Sequence, residues 1–360
     1  MERDHPDISD IAAKVAAGVR LAREDGIRLL HHTDILELGS LANLVRERKN
    51  GNLAYFSVNR HINYTNECRN GCRFCAFSRR PGGGYVLSVE DVLAKAREAE
   101  KSGVRELHIV GGTHPDLRLN YYVEMLRRLR EEHPTVCLQA FTAVEIANIA
   151  EREGLSYEHT LRALRDAGLT AIPGGGAEVF SERVRKLVCP EKLPGEKWLD
   201  LMRAAHRLGI PSNATMLYGH VETAEERIDH LLRLRELQDE TGGFLAFVPL
   251  PFHPENTALA HLPPTTAFDD LRTIAVSRLM LDNFPHIKAF WIMLGEKLAQ
   301  VSLSFGADDL DGTVVEEQIT HSAGAKTPQG LAKAELVNLI RGARRVPVER
   351  DTIYNTVQSW

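Results

Sequence analysis

Along most of the chain, short apolar runs alternate with longer stretches whose apolar residues recur three and four positions apart, which predicts strands and amphipathic helices taking turns. Up to about residue 50 the helical spacing stands alone, in IAAKVAAGVRLARED and TDILELGSLANLVRERKN. At Leu53 the pattern changes, and AYFSVNRHINYT, β-branched and aromatic, reads as one strand. SVEDVLAKAREAEKSG then opens on Ser88 with Asp91 three positions on, as an N-cap does, and ends at Gly103, a C-cap residue. Five more strands are expected in RELHIVGG, VCLQAFTAVE, LTAIPGGG, SNATMLYGH and FLAFVPL. Helices are expected between them in YYVEMLRRLREEH, SYEHTLRALRDAG, EKWLDLMRAAHRLG and TAEERIDHLLRLRELQDE. This alternation argues for parallel βαβ units and an α/β fold.

Length and charge narrow the picture. A chain of 360 residues holds enough apolar residues for a substantial core. Its formal net charge of −5 provides no global basic field for nucleic acid or an anionic membrane. The longest apolar runs, such as FLAFVPLPF at 244–252, are strand-sized and contain prolines. They fall well short of the roughly 20 residues of a spanning helix. An odd number of cysteines, five, in a long charged chain without a signal-peptide pattern leads to the expectation of a reducing compartment and a soluble, cytoplasmic protein.

Three of those five cysteines, Cys68, Cys72 and Cys75, fall within eight positions of NECRNGCRFCAFSRR. The spacing is C-x3-C-x2-C. A structural zinc site closes a tetrahedron and would need a fourth ligand from elsewhere. Three thiolates suit a 4Fe-4S cluster that keeps one iron open for a small molecule. A non-enzymatic zinc-binding module remains the alternative. Cys137, inside an apolar strand, and Cys189, beside Pro190, read as structural residues.

The loop CRNGCRFC, with Phe74 just before its last cysteine, resembles the radical S-adenosylmethionine (SAM) superfamily. The resemblance implies a 4Fe-4S cluster on Cys68, Cys72 and Cys75 and SAM chelated on the open iron. It also implies an α/β fold: a partial (β/α)6 TIM barrel over residues 53–261, with an N-terminal helical extension (1–52) and a C-terminal extension (262–360) that closes the barrel. In α/β barrels the chemistry gathers at the C-terminal strand ends. The candidates there are Gly111, Gly112 and Thr113 after the second strand, Thr142 and Glu145 after the third, and Gly174, Gly175 and Glu178 after the fourth. His220 follows the fifth strand and His253 the sixth. Gly111-Gly112 resembles the family's backbone segment against the SAM amino group, with Thr113 standing where a glutamate is commoner. The glycines at 174–176 allow close backbone approach to a ligand. Glu178 is read either as a ribose contact or as the cap of SERVRKLV.

Longer segments narrow the resemblance. ELHIVGGTHPDL, PGGGAEVF, SNATMLYGHVET and DGTVVEEQITH, together with CAFSR and FHPENTALAHL, look like the aminofutalosine synthases of the futalosine route to menaquinone. That resemblance implies a transferase that adds the 5'-deoxyadenosyl group of SAM to 3-[(1-carboxyvinyl)oxy]benzoate, with a low-potential electron donor such as flavodoxin or ferredoxin. The neighbouring cyclic dehypoxanthinylfutalosine synthase is the alternative. A dianionic substrate needs cationic or amide donors in a dry site. Arg60, His61, Arg79 and His253 lie near the expected mouth, and His220 is a further candidate.

Overall fold

The structure, a computed structural model, describes residues 7–360. Several helices begin where the sequence offers caps. Ser88 and Asp91 form a reciprocal capping box at the helix Val89–Glu100, and Thr223 with Glu226 and Thr266 with Asp269 do the same at Ala224–Thr241 and Ala267–Met280. Gly103, at φ 72°, turns the chain just beyond the first of these helices, whose C-cap is Lys101. A further box, Thr142 with Glu145, starts the helix Ala143–Glu153. The expected strand VCLQAFTAVE therefore stops at Ala140, because the cap and its helix take over the last residues.

Among the described residues, ten strands form three sheets: β1 (Leu53–Ser57), β2 (Asn59–Ile62), β3 (Glu106–Ile109), β4 (Cys137–Ala140), β5 (Ser212–Tyr218), β6 (Phe244–Pro251), β7 (His286–Ile287), β8 (Asp309–Gly312), β9 (Val346–Arg350) and β10 (Thr356–Ser359). The strand read as one run from Ala54 to Thr65 is broken at Val58, and its halves join different sheets. β2 pairs with β3 and β3 with β4, β5 pairs with β6 and β6 with β7, all parallel. β1 lies between β8 and β9. The expected strand LTAIPGGG is reduced to two residues, Ala171 and Ile172, which bridge β4 to β5. Bridges from Lys288 to Asp309 and from Arg60 to Val315 attach the C-terminal residues to both neighbouring sheets. The architecture is the partial barrel that the resemblance implied, built from the parallel strand-helix units that the alternation predicted.

Strand alternation gives the barrel two faces. Ile62, Leu107, Ile109, Leu138 and Ala140 face the helices and are buried. His61, His108 and Gln139 stand in register on the other face, one on each of three adjacent strands. Thr215 opposite Val248, and Leu217 opposite Leu250, continue that inner face on β5 and β6. The N-terminal helix Ile35–Asn50 packs on Ala267–Met280, and its Gly39 lies so close to Phe305 that a Cβ there would meet the ring at 2.5 Å.

Candidate active site

A cavity of about 340 Å³ opens inside the barrel, and Cys68, Cys72 and Cys75 all line it. The cysteine loop follows β2 and is tied to its surroundings through the main chain. Cys68 N–H donates to Arg79 O at 2.9 Å, Arg69 N–H to Thr113 O at 3.0 Å and Arg73 N–H to Val188 O at 2.8 Å. Glu67 adds a second tie: its carboxylate accepts from the N–H groups of Gly82 (2.9 Å) and Gly84 (3.1 Å). Burial pushes the Cys72 thiol up to about 12, opposed by the nearby Lys192 ammonium. Loading iron there requires loss of that proton.

Gly112 is dictated by packing against this loop. A Cβ on it would stand 2.1 Å from Glu67 O and 2.9 Å from Cys68 Cβ. Thr113, where a longer acid was the commoner expectation, places its Oγ1 3.2 Å and its N–H nitrogen 3.4 Å from Cys68 Sγ. Hydrogen bonds to a ligand sulfur are one means by which proteins tune a cluster's potential.

Glu145 works through its neighbours. One carboxylate oxygen accepts from Tyr64 Oη (2.7 Å) and Gly111 N–H (3.0 Å), the other from Thr142 N–H and Oγ1 (2.7 Å each). Burial pushes its carboxyl up to about 7, while the four donors pull the other way. Gly174 and Gly175 continue the wall. A Cβ on Gly174 would lie 2.7 to 2.8 Å from the backbone of Ala214, and one on Gly175 would lie 3.0 Å from Thr142 Cγ2. Glu178, at φ 51°, accepts from Lys192 Nζ at 2.6 Å, and that ammonium sits 5.3 Å from the Phe74 ring centre. Ser181 caps the helix Glu182–Val188, so Glu178 has no capping role.

The inner wall is polar. The rings of His61 and His108 stack at 4.4 Å, and His108 Nδ1 lies 3.0 Å from Gln139 Oε1. Burial and the neighbouring His108 hold the His61 imidazole well below its ordinary range, so it is neutral. His61 Nε2 and Asn213 Oδ1 are buried without a hydrogen-bond partner. Asp311, at φ 68°, is paired with Lys288 at 2.7 Å, and although burial works to raise it, the charges of Lys288 and Arg350 hold its carboxylate below the usual range. His253 also lines the cavity, with Nε2 3.0 Å from Met293 O.

Three expected substrate contacts do not face this space. Arg60 alternates with His61 on β2 and so points outward, to Glu98 (3.1 Å) and Glu316 (2.8 Å), beside a separate hollow of about 440 Å³. Arg79 turns back on its own loop and donates to the carbonyls of Ala76 (2.8 Å) and Ser78 (2.9 Å). His220 is fully buried against Glu222, with Nε2 3.0 Å from Leu217 O. The reading of motifs missed His108, Gln139, Asn213, Lys192 and Asp311. For the strand residues a signal existed: a polar side chain inside an otherwise apolar strand, at a position the alternation turns inward.

Comparison with known proteins fits this geometry. A profile of the Radical SAM superfamily matches residues 62–234, and one of the CofH/MqnC C-terminal region matches 241–359. Aminodeoxyfutalosine synthase of Thermus thermophilus is 50% identical over 99% of this chain and 97% of its own, and that of Streptomyces coelicolor 44% over 98% and 94%. The chain belongs to the radical SAM enzymes, among the aminodeoxyfutalosine synthases. A Methanosarcina mazei relative named 5-amino-6-(D-ribitylamino)uracil–L-tyrosine 4-hydroxyphenyl transferase 2 is 40% identical over 98% of this chain and 93% of its own. The structure of methylornithine synthase superposes with a TM-score of 0.74 at 20% identity, covering 92% of this chain and 96% of that one, which speaks for the shared fold.

Radical SAM enzymes use a 4Fe-4S cluster and SAM, and the residues present fit them. All three loop cysteines are free thiols lining one cavity. Among the described residues, no three His, Cys, Asp or Glu side chains converge closely enough to share a single ion. A cluster gives each thiolate its own iron, so convergence on one point is not required. No helix among the described residues is long and apolar enough to cross a membrane.

Proposed function

We propose that this enzyme joins the 5'-deoxyadenosyl group of SAM to 3-[(1-carboxyvinyl)oxy]benzoate, with aryl migration from oxygen to carbon and loss of a carboxylate. The product is 6-amino-6-deoxyfutalosine, an intermediate of menaquinone biosynthesis. The observation that carries this reading is one cavity with three loop thiols on one wall and buried, unpartnered polar atoms on another. When bound, the cluster supplies the electron that cleaves SAM and leaves a carbon radical on its adenosyl group.

Cys68, Cys72 and Cys75 hold the cluster in this proposal. Phe74, Gly111, Gly112, Thr113, Gly174, Gly175 and Glu178 bound the SAM pocket, and Glu145 positions Gly111 through its N–H. His61 meets a substrate carboxylate through its unpartnered Nε2, with Asn213 beside it and with His253, whose Nε2–H is donated to Met293 O, lining the same space. With Arg60 and Arg79 turned away, the inner wall offers imidazole and amide groups. A neutral imidazole N–H donating to a carboxylate satisfies both partners without burying an unpaired cation. Apolar groups such as Val248, Leu250 and Phe252 complete the lining and limit water near the reacting carbon.

We further propose the division into residues 1–52, 53–261 and 262–360, the last segment supplying Asp311 and Glu317 to the cavity. Electrons come from a low-potential donor protein, and the enzyme works in the cytoplasm.

Label in the adenine of SAM tests the reaction. It is expected in the aromatic product, one to one with methionine released and with 5'-deoxyadenosine a minor by-product. Label recovered almost wholly in 5'-deoxyadenosine, with the benzoate substrate unconsumed, would shift the assignment toward a hydrogen-abstracting relative such as the cyclic dehypoxanthinylfutalosine synthase.

A further inference from the structure

The cysteine loop is also a concentration of positive charge. Residues 69–80 contain Arg69, Arg73, Arg79 and Arg80 and no acidic residue, in a chain of net charge −5. All four are exposed. Their partners differ from those of several closely paired arginines elsewhere on the surface. Arg20 meets Asp239 at 2.5 Å, Arg23 meets Asp229 at 2.6 Å, Arg97 meets Glu132 at 2.8 Å and Arg203 meets Glu240 at 2.8 Å. Around the loop, Arg69 reaches Glu151 only at 3.4 Å and Arg80 reaches Glu191 only at 3.8 Å. Arg73 donates to Leu187 O at 3.3 Å, and Arg79 to the loop's own carbonyls. Four guanidinium groups thus face two loosely held carboxylates, each well exposed, and such pairs exchange partners at little cost.

This charge sits on the segment that carries the three cysteines. An electron entering the cluster must cross the protein between it and the donor's own centre, and this loop sets exposed residues, Arg69 and Arg73, directly beside Cys68 and Cys72 in the chain. We propose that Arg69, Arg73 and Arg80 form the docking face for an acidic protein carrying a low-potential one-electron centre. The inference rests on the cluster assignment and not on the identity of the aromatic substrate. Charges at the rim of such an encounter act mainly on the association rate and are screened by salt.

The test compares two reductants on the same enzyme. Turnover, read as methionine released from SAM per cluster, is driven either by reduced flavodoxin, an acidic one-electron donor protein, or by dithionite, which needs no docking face. In the Arg69→Glu/Arg73→Glu/Arg80→Glu protein the ratio of flavodoxin-driven to dithionite-driven turnover at low ionic strength should fall about tenfold. Added salt should lower the ratio of the unaltered enzyme toward the variant's. Arg207→Glu, a charge reversal on a distant exposed helix position, should leave the ratio unchanged. Normalising to cluster keeps the readout valid if the triple variant assembles less of it, and Arg69→Glu and Arg80→Glu alone should each give part of the effect. An unchanged ratio in the triple variant, or an equal loss with both reductants, would overturn the proposal. Failure of the aromatic substrate to react would leave this ratio measurable, since SAM cleavage reports it.

Discussion

The two walls of the cavity are built in opposite ways. On the cysteine side the chain comes so close to itself that side chains are excluded: Gly112 lies against Glu67 and Cys68, and Gly174 against the backbone of Ala214. On the inner side the space is filled by charged and polar side chains, with Lys288 and Asp311 paired and His61 stacked on His108. A wall of backbone tolerates no added atoms but carries little charge to compensate. A wall of polar groups accepts changes of shape more readily, yet each group depends on a partner. The first construction suits a rigid seat for a cluster and SAM, the second suits recognition of one small anion.

The largest expected effect lies on the first wall. Cys72→Ala removes one thiolate, and after anaerobic reconstitution the protein should release no detectable methionine from SAM, with Cys68→Ala and Cys75→Ala behaving alike. Cys137→Ala and Cys189→Ala should keep the iron content and the turnover. Sustained SAM cleavage by the Cys72→Ala protein would remove the basis for treating that wall as a cluster seat.

Next come changes on the polar wall. Asp311 is buried with Lys288, so Asp311→Asn leaves a buried ammonium without its counter-charge, at a cost of about 3–5 kcal/mol. Denaturant titration of the two proteins measures it. A loss below about 1 kcal/mol would mean that the pair is solvated and that the inner wall is less dependent on partners than argued. The glycine pair of the opposite wall gives a graded comparison. Gly174→Ala forces a shift of the Ala214 backbone and should cost about 1–3 kcal/mol, the usual range for overpacking. Gly175→Ala meets only the end of a threonine side chain, at 3.0 Å, and should cost less. The reverse order in thermal unfolding would contradict the crowding argument.

The two walls were also unequally legible. The cysteine spacing, the Gly111-Gly112 turn and the triple glycine are local in sequence, and their chemistry depends on covalent identity and on missing side chains, so a single chain displays them. The polar wall is assembled from one residue on each of several strands and from a segment beyond residue 262. Its members are recognised only when the register is known, as with His61, His108 and Gln139. Arg60 was misplaced for the same reason: one step along β2 reverses the face, and the break at Val58 was not marked by a glycine or proline. The helix at Ala143, in contrast, was announced by Thr142 and Glu145, and reading the apolar run past them hid it.

The smallest expected effect concerns Glu145, which joins the strand end at Gly111 to the helix cap at Thr142. Its carboxyl is pushed by burial from an ordinary 4.5 to about 7 in the folded chain. Between those values the folded protein holds a proton that the unfolded chain has released. The stabilising contribution of this group is therefore complete below about pH 4.5 and is lost as the pH rises through about 7. Glu145→Gln removes the titration. It also replaces one acceptor oxygen by an amide that cannot accept from Thr142, at a cost of about 1 kcal/mol that does not vary with pH. The variant should accordingly be less stable than the unaltered protein at pH 5, with the gap closing and then reversing by pH 8, by denaturant titration of the cluster-free forms. A gap that stays constant or widens would show that the four donors hold the carboxylate ionised throughout this range, and that burial at this junction is the weaker influence.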